Sequence, residues 1–149
     1  MSNKAKFLGV IIFLLLLTSS CTSPPDTVFV TRVVDGDTIV IQGGYRVRYI
    51  GIDTPEIHPK LEAYGMEALQ ANRKLVEGKE VRLERDVSET DKYGRLLRYV
   101  FVNEVFVNAE LVRQGLAEAK AYPPDTKYQT YLEEIETEAR QAGRGIWAK

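Results

Sequence analysis

The sequence predicts an α+β fold in which a small closed barrel of five strands is accompanied by three helices. Two observations predict it. Several short segments are rich in β-branched residues, alternate with a period of two and are separated by glycine turns. Two other segments repeat apolar residues every three or four positions, as amphipathic helices do, and a cap and a glycine mark a third, shorter helix. The 149 residues fit one domain, and the 44% hydrophobic content excludes a disordered chain.

The strands are expected early in the chain and again after the first helix. Asp35-Gly36 and Gly43-Gly44 are tight-turn pairs, so the first three strands form an antiparallel meander. A fourth and a fifth strand follow the helix, and the turn at Asn103-Glu104 leads into a short extension. The predicted strands are Thr27–Val34, Thr38–Ile41, Tyr45–Ile52, Val81–Glu84 and Leu96–Val102, with Val105–Val107 as the extension.

The helices are expected at Leu61–Val76, over a short segment capped by Asn108 and closed near Gly115, and from Lys127 to Ala142. In the last helix an apolar face includes Tyr128 and Tyr131, which we expect in the core. Gly143-Arg144-Gly145 ends this helix, and Ile146-Trp147 is expected to act as an apolar latch. Five short antiparallel strands interrupted by one helix fit a barrel of the oligonucleotide-binding (OB) kind.

The N-terminal residues are expected to direct export. Residues 1–20 combine two lysines, a short apolar run and small polar residues, a pattern typical of a signal peptide. Cys21 follows at once and is the only cysteine, so it has no disulfide partner. We expect lipidation of Cys21, a tether over residues 21–26 and an OB-fold domain over residues 27–149. The protein would then be anchored to a cell membrane, on the extracellular face or in the periplasm; ordinary cleavage would instead make it secreted.

Bulk charge does not favour nucleic acid. The formal net charge is −1, and removal of Lys4 and Lys6 with the signal leaves 18 basic against 21 acidic residues. Proteins that bind nucleic acid through their overall charge are strongly basic. Any anionic substrate must therefore be held by local groups, and we expect its binding to be sensitive to salt.

Three polar segments carry the candidate chemistry. They are Asp35-Gly36-Asp37-Thr38, then Arg48 with Asp53-Thr54-Pro55-Glu56, then Asp91-Lys92-Tyr93-Gly94-Arg95. Each segment alone reads as a solvated turn. Together they supply carboxylates for a hard cation and two arginines whose planar forks match phosphate oxygens, a combination that indicates phosphoryl chemistry.

The acids are expected to meet at one end of the sheet. If the second strand starts at Asp37 and the third ends at Asp53, antiparallel pairing brings the two carboxylates together. Two carboxylates with a backbone carbonyl and water form a plausible oxygen cage for Ca²⁺. His58 is the only histidine and reads as a loop residue, so a zinc site is not expected.

These segments, in this order, resemble the staphylococcal nuclease (thermonuclease) family. The resemblance covers about Val28 to Trp147 and is carried by Asp35-Gly36-Asp37-Thr38, Arg48 with Ile52-Asp53-Thr54-Pro55-Glu56, Tyr64-Gly65, Asp91-Lys92-Tyr93-Gly94-Arg95, Leu111-Val112-Arg113-Gln114-Gly115-Leu116-Ala117 and Ile146-Trp147. It implies a five-stranded barrel with three helices. It also implies a Ca²⁺-dependent nuclease that cuts DNA and RNA and leaves 3′-phosphates and 5′-hydroxyls.

The resemblance also implies residue roles. Asp37, Asp53 and the carbonyl of Thr54 would hold Ca²⁺, with Asp35 as a nearby supporting acid. Glu56 would accept or steer the proton of the attacking water, and Arg48 and Arg95 would bind the phosphate. The nucleotide would contact Lys92, Tyr93 and Tyr122. Stacking on tyrosine tolerates any base but needs splayed-out bases, so single-stranded or fraying regions should be favoured, with the protein acting as a monomer.

Other classes remain open at this point. A catalytically silent OB-fold module on the cell surface could bind nucleic acid or a protein without cutting it, and a surface scaffold could keep a vestigial site. A two-carboxylate glycosidase needs only paired acids, but it leaves both arginines and the tyrosines without a function.

Overall fold

The computed structural model describes residues 27–149, so the predicted signal peptide, the tether and Cys21 lie outside the described residues. Eight strands, three helices and one 3-10 turn follow one another. In chain order they are β1 (Thr27–Val33), β2 (Thr38–Ile41), β3 (Arg46–Tyr49), β4 (Ile52–Asp53), α1 (Gly65–Val76), β5 (Glu80–Glu84), β6 (Leu96–Val102), β7 (Val105–Phe106), α2 (Val107–Arg113), β8 (Glu118–Ala119), α3 (Gln129–Gln141) and the turn Gly145–Trp147.

Five strands close into a barrel. The sheet order is β3-β2-β1-β5-β6-β7, and an additional parallel pairing of β3 with β6 joins the two sides. In that pairing Arg48 lies opposite Leu97. The predicted α+β class, with a five-stranded barrel and three helices, is therefore confirmed. Closure satisfies the strand edges and leaves one apolar interior, which includes Val30, Ile39 and Val100 with no exposed surface.

The predicted third strand was wrong in its length. It was expected to run from Tyr45 to Ile52, but β3 ends at Tyr49. Gly51 then adopts a positive φ of 78°, and a Cβ there would lie 2.7 Å from a methyl of Leu132. The chain bends at this glycine, and Ile52–Asp53 pairs with Glu118–Ala119 in a separate two-stranded sheet.

The helices exist where expected, but their starts differ. α1 begins at Gly65 rather than Leu61, which is 58% exposed, because Tyr64 takes a left-handed conformation that interrupts the approach to the helix. Asn108 does not cap α2. It lies inside the helix and is fully buried, where it accepts from the Val100 N–H at 3.0 Å and donates to the Ile50 carbonyl at 2.8 Å.

The last helix and the C-terminus close the molecule. α3 begins at Gln129, and it buries Leu132 and Ile135, whereas Tyr131 is 45% exposed rather than in the core. Its ring stacks at 6.3 Å on Phe106 at the surface. Beyond α3, the Ile146 N–H donates to the Gly115 carbonyl at 2.8 Å. Within residues 27–149, no helix combines the length and apolarity needed to cross a membrane.

Candidate active site

The turn between β1 and β2 places two acids. The side chain of Asp35 accepts from the Asp37 N–H at 3.1 Å, which is the hydrogen bond of an Asx turn. Gly36 between them is required for space, because a Cβ there would lie 2.6 Å from the Thr54 hydroxyl and 2.8 Å from Ala68. The turn can thus pack directly against the loop that carries Thr54.

Asp37 is the buried acid of the site. It is 5% exposed, and its Oδ2 accepts from the Thr54 N–H at 2.9 Å and from the Thr54 hydroxyl at 3.0 Å. Burial raises the pKa of Asp37 to about 6, opposed by the guanidinium of Arg48 and assisted by the charge of Asp35. The raised pKa is chiefly a cost of burying the charged carboxylate, which Arg48 offsets only in part.

Arg48 brings the two predicted metal acids together. Its Nη2 lies 3.2 Å from Asp37 Oδ2 and donates to Asp53 Oδ1 at 2.9 Å. Its Nη1 donates to the carbonyls of Tyr49 and Ile52, at 2.8 and 2.9 Å, across the bend that ends β3. Although Asp53 is not in β3, one guanidinium therefore spans both carboxylates.

Lys120 is a site residue that sequence reasoning missed. Its Nζ donates to Asp53 Oδ2 at 2.6 Å, across 67 positions of sequence. This hydrogen bond raises the pKa of Lys120. The only local signal is a lysine directly after Glu118–Ala119, and a two-residue strand leaves no periodicity to detect.

Glu56 lies at the start of the loop after β4. It is exposed, and its backbone N–H donates to Glu62 Oε2 at 2.8 Å. Desolvation raises the pKa of the Glu56 carboxyl, and the negative charges of Asp35 and Asp53 raise it further. Glu56 therefore faces the same acids that the other segments assemble.

A tight turn between β5 and β6 presents the second arginine. Asp91 organises it, because one oxygen accepts from the N–H groups of Tyr93 and Arg95, at 2.9 and 3.0 Å. The other oxygen accepts from Arg95 Nε at 2.6 Å, and these donors hold the pKa of Asp91 below its usual range against the effect of burial. The outer nitrogens of Arg95 remain available for another anion.

Both arginines line one pocket of about 370 Å³. Its walls also contain the predicted nucleotide-binding residues, Lys92, Tyr93 and Tyr122. Tyr93 is 72% exposed, with Arg95 5.5 Å from its ring centroid. The barrel closure between β3 and β6 explains the juxtaposition, since it sets the strand of Arg48 beside the strand that Arg95 precedes.

Asp125 supports this pocket and was also missed from the sequence. It is 3% exposed and accepts from the N–H groups of Val87 and Ser88, at 2.9 and 2.7 Å. These bonds hold the pKa of Asp125 low despite burial. They connect the loop of Tyr122 to the segment leading to Asp91, a contact across 38 positions that no motif signals.

The donor chemistry fits a hard divalent cation. Asp37 and Asp53 are carboxylates bridged by Arg48, and Thr54 is fixed against Asp37. Within the described part of the chain, no group of three or more histidine, cysteine or acidic side chains is placed to hold a metal ion. Two carboxylates with a backbone carbonyl and water remain a set that suits an oxygen-seeking ion.

Comparison with known proteins places this site in a family. The family model described as staphylococcal nuclease homologue matches residues 46–149. The chain is 41% identical over 130 residues to the thermonuclease of Staphylococcus intermedius, which covers 83% of this chain and 77% of that protein. It is 39% identical over 125 residues to the thermonuclease of Staphylococcus hyicus, with 80% and 74% covered. It is 41% identical over 126 residues to endonuclease YncB of Bacillus subtilis, with 79% and 60% covered. These relatives confirm the predicted enzyme class, a nuclease, and the chain belongs to the staphylococcal nuclease family.

Proposed function

We propose that this nuclease is Ca²⁺-dependent and hydrolyses the phosphodiester bonds of DNA and RNA by in-line attack of water, leaving 3′-phosphate and 5′-hydroxyl ends. The observation that carries the proposal is the shared pocket of Arg48 and Arg95, with Asp37 and Asp53 held at the Arg48 end. Cations for a phosphate and acids for a metal are thereby adjacent.

The metal would be held by Asp37, Asp53 and the backbone carbonyl of Thr54. When bound, it supplies Lewis-acid polarisation of a phosphate oxygen. Arg48 is paired with both carboxylates, so its guanidinium lies beside the point where the phosphate would bind. Asp35 adds negative charge behind Asp37 and favours retention of a cation.

Glu56 is the proposed proton acceptor. Its pKa is raised by burial and by the neighbouring acids, which makes it a stronger base for the proton of water. Its exposure gives water access to the carboxylate. Glu56 therefore orients the attacking water and takes up its proton.

Arg48 and Arg95 stabilise the charge that develops on the phosphorus oxygens. Asp91 fixes Arg95 through Nε, which aims the remaining N–H groups without using them. Preorganised donors of this kind are effective because they need no rearrangement during the reaction.

The base would stack on Tyr93 or Tyr122, and Lys92 would contact another phosphate or the sugar. Tyr93 and Tyr122 are 72% and 40% exposed, so bases can reach them. Stacking platforms accept every base, so sequence preference is weak and single-stranded or fraying DNA and RNA are favoured. The protein acts as a monomer.

Export and membrane attachment form a separate proposal. Residues 1–20 act as the signal and Cys21 receives the lipid; the support is the sequence pattern, namely lysines, an apolar run and small residues ahead of a single cysteine. Labelling with a radioactive fatty acid should mark the parent and not Cys21→Ser. Equal labelling of both would contradict the anchor.

One experiment tests the nuclease proposal. The fragment of residues 22–149 is incubated with single-stranded DNA, plasmid and RNA in Ca²⁺, Mg²⁺ or chelator, and product ends are typed by phosphatase and kinase treatment. Cleavage in Ca²⁺ alone, with 3′-phosphate ends, is expected. A gel shift without cleavage would instead indicate the silent binding module.

A further inference from the structure

Both oxygens of Asp53 are held by cationic side chains. Oδ1 lies 2.9 Å from Arg48 Nη2, and Oδ2 lies 2.6 Å from Lys120 Nζ. Arg48 is shared with Asp37, whereas Lys120 forms an ion pair with Asp53 alone among the carboxylates of residues 27–149. Asp53 therefore brings a second cationic side chain, Lys120, to the site beside Arg48.

The backbone is built to deliver this lysine. Asp53 pairs with Glu118 in the small β4–β8 sheet, and the Lys120 N–H donates to the Gly51 carbonyl at 2.9 Å. These contacts fix the backbone of Lys120 beside the segment from Gly51 to Asp53. Strand pairing thus places the lysine within reach of the Asp53 carboxylate.

The ion pair of Lys120 with Asp53 is not needed for the stability of the fold. The side chains of Lys120 and Asp53 are 49% and 31% exposed, and ion pairs of that exposure contribute little to stability. The effect of the Lys120 ammonium on a cation held by the same carboxylate is larger, because like charges a few ångströms apart repel strongly near a protein surface.

We propose that Lys120 is a positioning residue that sets the affinity of the site for its divalent cation. It orients the Asp53 carboxylate through Oδ2 and acts as a built-in counter-cation that competes with the metal for that oxygen. The inference rests on the proposed function, in which Asp53 is a metal ligand. With four acids at the site (Asp35, Asp37, Asp53 and Glu56) and two internal cations (Arg48 and Lys120), a divalent ion brings the cluster to neutrality.

The test measures Ca²⁺ binding without substrate. Ca²⁺ is titrated calorimetrically into the parent protein, Lys120→Gln and Lys120→Arg. Lys127→Gln is the matched control, because Lys127 is a similarly exposed lysine whose ion pair is with Glu84, which is not one of the four acids of the site. Thermal unfolding checks that every variant is folded.

The Kd of Lys120→Gln should fall roughly three- to tenfold at low ionic strength, and the difference should shrink in molar salt. Lys120→Arg keeps the positive charge beside Asp53 and should stay within about twofold of the parent, because that charge opposes the bound cation. Lys127→Gln should match the parent. An unchanged or weaker affinity in Lys120→Gln would overturn the inference while leaving the metal site intact. Absence of Ca²⁺ binding in the parent would overturn the metal site itself, and the inference with it.

Discussion

Asp37 combines burial with a carboxylate that the proposed function needs ionised. Burial raises its pKa from the ordinary 3.8 to about 6. Between these two values the folded protein binds more protons at Asp37 than the unfolded chain does. The contribution of Asp37 to stability therefore falls as pH rises through this window, in contrast to a carboxylate whose pKa is lowered.

Asp37→Asn isolates this contribution. In chelator, the free energy of unfolding of the parent should fall relative to Asp37→Asn by about 2–3 kcal/mol between pH 4 and pH 7, since one pKa unit corresponds to about 1.4 kcal/mol. Urea titrations at several pH values measure it. The comparison is needed because Asp91 and Asp125, with lowered pKa values, give the opposite slope in both proteins. Parallel curves for the two proteins would contradict the prediction.

Arg95 provides the second residue-scale prediction. Arg95→Ala should lower turnover by about 10²–10³-fold, the usual loss for one transition-state donor. Arg95→Lys should be nearly as inactive, because an ammonium cannot donate two parallel hydrogen bonds to a phosphate. Single-turnover cleavage of single-stranded DNA measures both.

The stability of both Arg95 variants should stay close to that of the parent, since Arg95 lies on a half-buried turn and its one ion pair is with Asp91. Near-full activity of Arg95→Lys would exclude the proposal that the Arg95 guanidinium donates two parallel hydrogen bonds to the phosphate.

At the scale of elements, the turn between β5 and β6 acts as the support for Arg95. Asp91 accepts from the backbone of Tyr93 and from both the backbone and Nε of Arg95. Asp91→Ala should therefore lower turnover by about tenfold, because it loosens the Arg95 guanidinium that binds the phosphate. The double variant with Arg95→Ala should be no slower than Arg95→Ala alone, because Asp91 acts through Arg95.

Cleavage rates of the four proteins complete this double-mutant cycle. Multiplicative losses would show that Asp91 acts independently of the arginine. Asp125→Asn gives a related control, because the Asp125 carboxylate accepts from the N–H groups of Val87 and Ser88 and forms no hydrogen bond with Arg95 among residues 27–149.

Elements with a strong period were predictable, and the bends between them were not. β2, β6 and the C-terminal ends of α1 and α3 fall close to their predicted bounds because their own side chains alternate or repeat. The bend of the chain at Gly51 is not marked by any side-chain periodicity. It depends on Leu132, which packs from α3 against the position where a Cβ would lie. Asn108 was mistaken for a cap because its buried partners lie outside the helix, Val100 on β6 and Ile50 in the bend after β3, 58 positions away.

At the scale of the whole molecule, the C-terminus is held where Gly115 crosses the Arg144–Gly145 backbone. A Cβ on Gly115 would overlap the Arg144 carbonyl, whereas the surroundings of Gly78 are open. Both glycines have a φ of 71°, so they differ only in available space. Gly78→Ala should cost about 1–2 kcal/mol of unfolding free energy through strain, and Gly115→Ala about 1–3 kcal/mol more.

Urea unfolding measures the two glycine variants side by side. Equal losses of unfolding free energy would mean that the C-terminal segment shifts to accommodate the Cβ without further destabilisation. This segment would then not hold the fold together. A greater loss in Gly115→Ala would identify this crossing as the contact that secures α3 against α2.

The sequence by itself determined the class of fold, the three polar segments and the family, because periodicity and short motifs are local properties of the chain. It also supplied every residue of the proposed metal and phosphate sites. Only the tertiary structure decided that Arg48 spans Asp37 and Asp53, that Arg95 opens onto the same pocket, and that Lys120 reaches Asp53. Those contacts depend on barrel closure and on a two-residue strand pairing. Both join positions that are far apart in sequence, and a single sequence has no local pattern that shows which distant residues meet.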